Sequence, residues 1–160
     1  MNRDWRRNEC MMEDFSNLRA LLRDLFASQR LAVLATQNAG QPYGNLVAFA
    51  ETDDLRHLVF VTSRNTQKYT NVTENIKVAL LVDSRKNHIS DFQTAVAVTA
   101  MGTAEEITGN EREIMVKVYV NKHPHLTNFL KRPDNAVIKV RVSDYIVAGF
   151  DKAQSIHLSD

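Results

Sequence analysis

The sequence predicts a mainly β fold: an antiparallel barrel of six or seven strands flanked by two or three helices. Three observations carry that expectation. Short apolar runs rich in Val, Leu and Ala recur between turn residues. The first three runs are joined by connections too short for a crossover helix, so they form an antiparallel meander. Helical periodicity is confined to a few segments.

The elements follow in order. Residues 1–13 are charged and aperiodic and read as a flexible arm, with Trp5 as its one anchoring side chain. From Asp14 to Gln29, Leu18, Leu21, Leu22, Leu25 and Phe26 fall on one stripe of a helix, with Ser16 or Asp14 as its cap. The rest, residues 14–160, reads as a single domain. Leu31 to Gln37 is a strand and Asn38 to Pro42 a turn. Tyr43 to Glu51 is a second strand, Thr52 to Asp54 a turn, and His57 to Ser63 a third strand. A helix-compatible stretch, Tyr69 to Asn75, leads into Lys77 to Asp83, a run apolar enough to be buried on both faces. After a polar loop, Ser84 to Gln93, comes the long strand Thr94 to Ile107, which Gly102 allows to bend or bulge. Glu111 to Asn121 reads as a helix with Ile114, Met115 and Val118 inward, and Leu126 to Lys131 as a further helical turn. Ala136 to Val142 and Tyr145 to Gly149 close the chain as a strand pair.

Composition narrows the function. A net charge of +1, without a basic run interleaved with aromatics, argues against nucleic acid. No apolar run reaches the ~20 residues that cross a bilayer, and the N-terminus lacks an apolar signal core. The expectation is a cytoplasmic protein with no membrane partner. Cys10 is the single cysteine, so no intrachain disulfide or thiolate cluster is available. His57, His88, His123, His125 and His157 lack metal-ligand spacing, and neither GxSxG nor a phosphate-loop glycine pattern is present. The acidic pairs Asp53-Asp54 and Glu105-Glu106 read as solvated carboxylates.

One stretch stands out, Phe60 to Lys68. A strand ends in Thr62 and Ser63 and feeds a helix start through Arg64, Asn65, Thr66 and Gln67. Unpaired N–H groups at a helix start, with the dipole behind them, favour an anion. Arg64 and Lys68 add positive charge. Two readings stay open on these residues alone: a phosphate seat, or an ordinary cap with solvated cations.

Taken as an ordered set, Gly40 to Phe49, Leu58 to Ser63, Lys68 and Asn75 to Leu81 resemble the pyridoxamine 5′-phosphate oxidase-like FMN-binding split barrels. Val96 to Glu105 is similar to the next strand of that family, so the resemblance spans about residues 18–107. It implies a split barrel, a homodimer, and FMN in a groove between the subunits. By position, Asn45, Leu46 and Val47 would line the ring system, largely through backbone groups. Thr62 and Ser63 would contact the flavin or its ribityl chain, and Thr66 and Lys68 the phosphate. Gln67 stands where the oxidase carries a second cation and Asn45 where it carries Arg, with Arg64 as a replacement charge. The oxidase's C-terminal Arg and His motif has no counterpart in Val140 to Asp160, which speaks against pyridoxamine phosphate as substrate. The implied function is an FMN-dependent oxidoreductase acting on a small redox substrate. The alternatives are a non-catalytic flavin or haem carrier, and an empty dimeric scaffold.

Overall fold

The computed structural model describes residues 4–150 and 153–158, with side chains described from residue 16 onward. Trp5 and Cys10 therefore lie outside the described side chains. Helix α1 spans Asp4–Ser28, starting ten residues before the expected Asp14 and running back through the stretch read as an arm. Strands β1 (Leu31–Asn38), β2 (Gln41–Glu51) and β3 (His57–Ser63) form the expected meander. Ala39 and Gly40 form the β1–β2 turn, both at positive φ (47° and 83°), as a two-residue hairpin demands.

Helix α2 (Gln67–Glu74) carries the chain to β4 (Lys77–Asp83), which pairs with β1. The polar loop holds a single turn, α3 (Asp91–Thr94), before β5 (Ala97–Glu106). Helix α4 (Gly109–Lys122), a 3-10 turn at Pro124–Leu126 and α5 (Thr127–Leu130) follow. The expected C-terminal strand pair is instead one continuous strand, β6 (Asn135–Ala148). Ser143 and Asp144 looked like a turn in sequence, but β6 stays continuous by carrying Ser143 as an extra residue opposite the Met101–Gly102 step of β5. A short strand unseen in the sequence, β7 (Ala153–His157), pairs with β6.

The sheet order is β3-β2-β1-β4-β5-β6-β7, and β3 also pairs with β6 along its whole length. Six antiparallel strands thus close into a barrel, with β7 outside the ring. Gly102 is required at the bulge, because a Cβ there would overlap the Arg141 carbonyl of β6.

Inward side chains of every barrel strand meet Leu22, Leu25 and Phe26 of α1 and Val72 of α2 in one core. Phe26 packs edge-on to Phe49 at 5.5 Å and tilted against Tyr145 at 5.8 Å. Lys122 pins α1 to the barrel, donating to the Phe26 carbonyl at 2.8 Å and pairing with Glu51 at 2.6 Å. A second apolar cluster lies outside the sheet, where Met115 and Tyr119 of α4 and Leu130 cover Ala50, Val59, Val61 and Val137. Ile114, expected inward, is exposed. The inward positions are Met115 and Tyr119, four residues apart on the face that meets β3 and β6.

Among the described residues, nothing gives the outer face of β2, β1, β4 and β5 such cover. Leu46, Val33, Leu81 and Thr99 stand side by side across it, and Gly44, Ala35, Ala79 and Met101 form the adjacent row. Leu46 is 63% exposed and Met101 37%. The β4 run that reads as buried on both faces therefore has one face only half-covered in a single chain.

His123 is buried at the end of α4, its Nε2 2.7 Å from the Phe49 carbonyl. Burial pushes its pKa below the usual 6.5, against the Phe49 hydrogen bond, which pulls the other way. His57 is lowered as well, again chiefly by burial. Between the folded and unfolded values the unfolded chain binds more protons, so stability rises with pH there. This contribution is complete above about pH 6.5 and is lost as pH falls through the folded pKa. The melting temperature is expected to drop between pH 7.5 and 5.5, with a shallower drop in His123→Gln. Equal slopes in the two proteins would remove His123 from the account.

Candidate functional site

Strands β2 and β3 pair at three positions only, Phe49 with Phe60, Ala50 with Val59 and Glu51 with Leu58. Beyond Phe49 and Phe60 they part. β2 continues against β1, and β3 continues against β6. One bank of the resulting split is Asn45-Leu46-Val47, and the other is Val61-Thr62-Ser63. Two stretches that the sequence assigns to one ligand are thus brought to the two sides of one opening.

Strand alternation says which groups face it. The Phe49 N–H donates toward β1, to the Arg30 carbonyl. Two residues on at each step, Val47 and Asn45 turn their peptide groups the same way, while Leu46 and Ala48 turn theirs toward the split. On β3 the pairing of Ala50 with Val59 turns Val61 and Ser63 toward it likewise. The side chains separate differently. Asn45 and Val47 share the barrel-facing side, with Val47 buried, whereas Leu46 projects outward. Asn45 is half-buried, and its Oδ1 is sealed from solvent without a hydrogen-bond partner among the described residues.

At the mouth of the split begins α2. Thr66 is its N-cap residue in extended conformation (φ −109°, ψ 151°), yet no side chain caps the helix. The hydroxyls expected to serve as donors are directed elsewhere. Thr66 Oγ1 donates to the Ser63 carbonyl at 2.8 Å and shares a 3.0 Å hydrogen bond with Thr62 Oγ1. Ser63 Oγ donates to Asp134 at 3.0 Å. Arg64 turns away from the helix start, paired with Glu106 and donating to the Pro133 carbonyl at 3.0 Å. Tyr69 OH donates to the same Glu106 carboxylate at 2.6 Å. Burial pushes the Glu106 carboxyl up, but the hydrogen bonds from Arg64 and Tyr69 outweigh it and hold the pKa below the usual range. Lys68, half-buried in the first turn of α2, has no ion pair or hydrogen bond among the described residues. It is the cation left for a ligand at this end.

Sequence reasoning missed the groups that fix this geometry. Glu106 lies 42 residues from Arg64, and Asp134 lies 71 from Ser63. Gln67 donates to Asn71 at 2.7 Å, and fully buried Asn71 donates to Thr36 of β1 at 2.9 Å. That chain ties α2 across the barrel mouth, so Gln67 serves the scaffold. No local pattern signals partners this distant.

The residues present fit a flavin phosphate. An uncapped helix start and an unpaired ammonium suit the anion, and free peptide groups on both banks suit a planar polar ring. Among the described residues no helix is long and apolar enough to cross a membrane, and no group of three metal-ligating side chains forms.

Comparison with known proteins agrees on the architecture. The heme binding protein of Mycobacterium smegmatis shares the fold with a TM-score of 0.74 at 18% identity, over 83% of this chain and 55% of that one. This chain therefore spans little more than half of that protein. An FAD-binding protein of Mesorhizobium loti matches with a TM-score of 0.63 at 17% identity, covering 85% of this chain and 90% of that one. General Stress Protein 26 of Bacillus anthracis matches with 0.66 at 20% identity, covering 88% and 98%. No curated protein matches. The family model described as pyridoxamine 5′-phosphate oxidase matches residues 18–147, most of the chain, and it is to this family that the chain belongs.

Proposed function

We propose that this chain binds FMN in the split between β2 and β3 and acts as an FMN-dependent oxidoreductase on a small molecule. The observation that carries the reading is the convergence of two unpaired strand edges on an uncapped helix start that holds an unpaired lysine. Lys68 and the first-turn N–H groups of α2 hold the phosphate. Peptide groups of Leu46, Ala48 and Val61 and the N–H of Ser63 address the polar edges of the flavin. Bound FMN supplies the redox chemistry itself, while the protein binds, orients and shields it. The chain's own part is positioning, and none of its side chains is assigned as an acid or base.

The same reading includes a homodimer, with the bare face of β2, β1, β4 and β5 against a second copy and the cofactor at the junction. Leu46 supports it: the residue borders the split and also projects from that face. A cytoplasmic location is part of the same proposal.

The second reading is a carrier that holds flavin or haem without turnover. It draws on the fold shared with the heme binding protein. Two of the histidines are already engaged within the chain, which favours flavin over haem at those positions. His123 is buried against the Phe49 carbonyl, and His157 pairs with Asp144 at 2.7 Å.

The test is a visible spectrum of purified protein equilibrated with FMN, followed by reduced nicotinamide dinucleotide. Rapid bleaching of bound flavin is the expected result. Bleaching by dithionite alone establishes the carrier, a Soret band establishes haem, and failure to take up FMN removes the proposal.

A further inference from the structure

We propose a second ligand site, for a nucleoside monophosphate or a chemically equivalent ring-bearing phosphate, in the cavity between α4, α5 and the start of β6. The cavity measures about 500 Å³, within the range of about 300–1,000 Å³ usual for small-molecule sites. Arg64, Arg112, Lys131 and Arg132 line it, and no carboxylate does. Arg64 is neutralised by Glu106 behind it. The other three cations have no ion pair among the described residues, although Arg132 lies 5.9 Å from the Phe129 ring centroid.

Arg112 also feels the Glu106 carboxylate, which leaves Lys131 and Arg132 as the uncompensated charges at this concavity, and a dianion placed beside them offsets their mutual repulsion. The floor is apolar, formed by Val116, Val120 and Leu130. Inorganic phosphate would leave that floor wet, whereas a phosphate carrying a flat ring covers it. Asn135, on the same wall, is 4% exposed and donates through Nδ2 to the Phe129 carbonyl at 2.6 Å, while its Oδ1 has no partner. The site stands apart from the flavin reading. Of the residues assigned to FMN only Arg64 reaches it, and that side chain is turned away from the start of α2.

The test is calorimetric titration of the whole protein with AMP, run as purified and again with FMN added. AMP is expected to bind both forms and to bind more tightly than inorganic phosphate. Arg112→Gln with Lys131→Gln is expected to weaken AMP at least about tenfold, the loss that goes with removing charge-assisted hydrogen bonds, with FMN uptake unchanged. Lys68→Ala should leave AMP binding intact, so failure of the flavin site and failure of this one are separable. No AMP binding at millimolar concentration, or equal binding by the double variant, overturns the site. Inorganic phosphate binding as tightly as AMP overturns the assignment of the ring.

Discussion

Replacing Lys68 by Ala is expected to lower FMN affinity by about 10- to 100-fold, the effect of removing one charge-assisted hydrogen bond of roughly 1.5–3 kcal/mol. The melting temperature of the cofactor-free protein should barely move, because Lys68 makes no ion pair or hydrogen bond among the described residues. That asymmetry is what distinguishes a ligand-binding cation from a structural one. Arg64→Ala is the contrasting case. It breaks the pair with Glu106 and leaves that carboxylate with Tyr69 alone. It should therefore disturb the corner where β3, β5 and the α5–β6 turn meet, with a smaller direct loss of FMN contact. Fluorescence titration of FMN with both variants is the measurement. Unchanged affinity in Lys68→Ala would place the phosphate somewhere other than the start of α2.

Leu46→Arg is the second large effect. The side chain is 63% exposed in the single chain and sits on the bare apolar face, so the change costs the monomer little. In a dimer that uses this face, two such charges would be brought into an apolar contact without partners, at several kcal/mol. Sedimentation should show dimer for the parent protein and monomer for the variant, with FMN released as the subunits part. Met101→Arg, on the same face but away from the split, separates two causes. If it also yields monomer and loses FMN, the cofactor needs the second subunit. If Leu46→Arg loses FMN while remaining dimeric, Leu46 touches the flavin but not the partner. A parent protein that sediments as a monomer at high concentration with FMN present removes the dimer.

Much of the fold was legible because the strands follow local rules. His57–Ser63 and Lys77–Asp83 start and stop where their apolar runs do, and Gly102 marks the bulge expected of it. The misreadings have physical causes of equal clarity. Ser143 and Asp144 carry turn chemistry, yet Asp144 pairs with Met101 of β5 and His157 of β7, and Ser143, the extra residue of the bulge, accepts from the Leu158 N–H and donates its hydroxyl to the Met101 carbonyl. Ile114 was assigned inward by hydrophobicity. The phase of α4 is set by Met115 and Tyr119 against β3 and β6, which leaves Ile114 outside.

The candidate site divides along the same line. Sequence alone determined that a strand ends in hydroxyls at a helix start and that Lys68 stands in the first turn, since these are properties of neighbours in the chain. Only the tertiary structure decided that β2 and β3 separate after Phe49 and Phe60, because β3 closes the barrel on β6, which is more than 70 residues away in sequence. It also decided that Arg64 is held by Glu106 and that Thr62, Ser63 and Thr66 satisfy one another or Asp134. A side chain's charge and donors are written in its identity. Whether they remain free for a ligand depends on which distant groups the closure of the barrel brings within hydrogen-bonding reach.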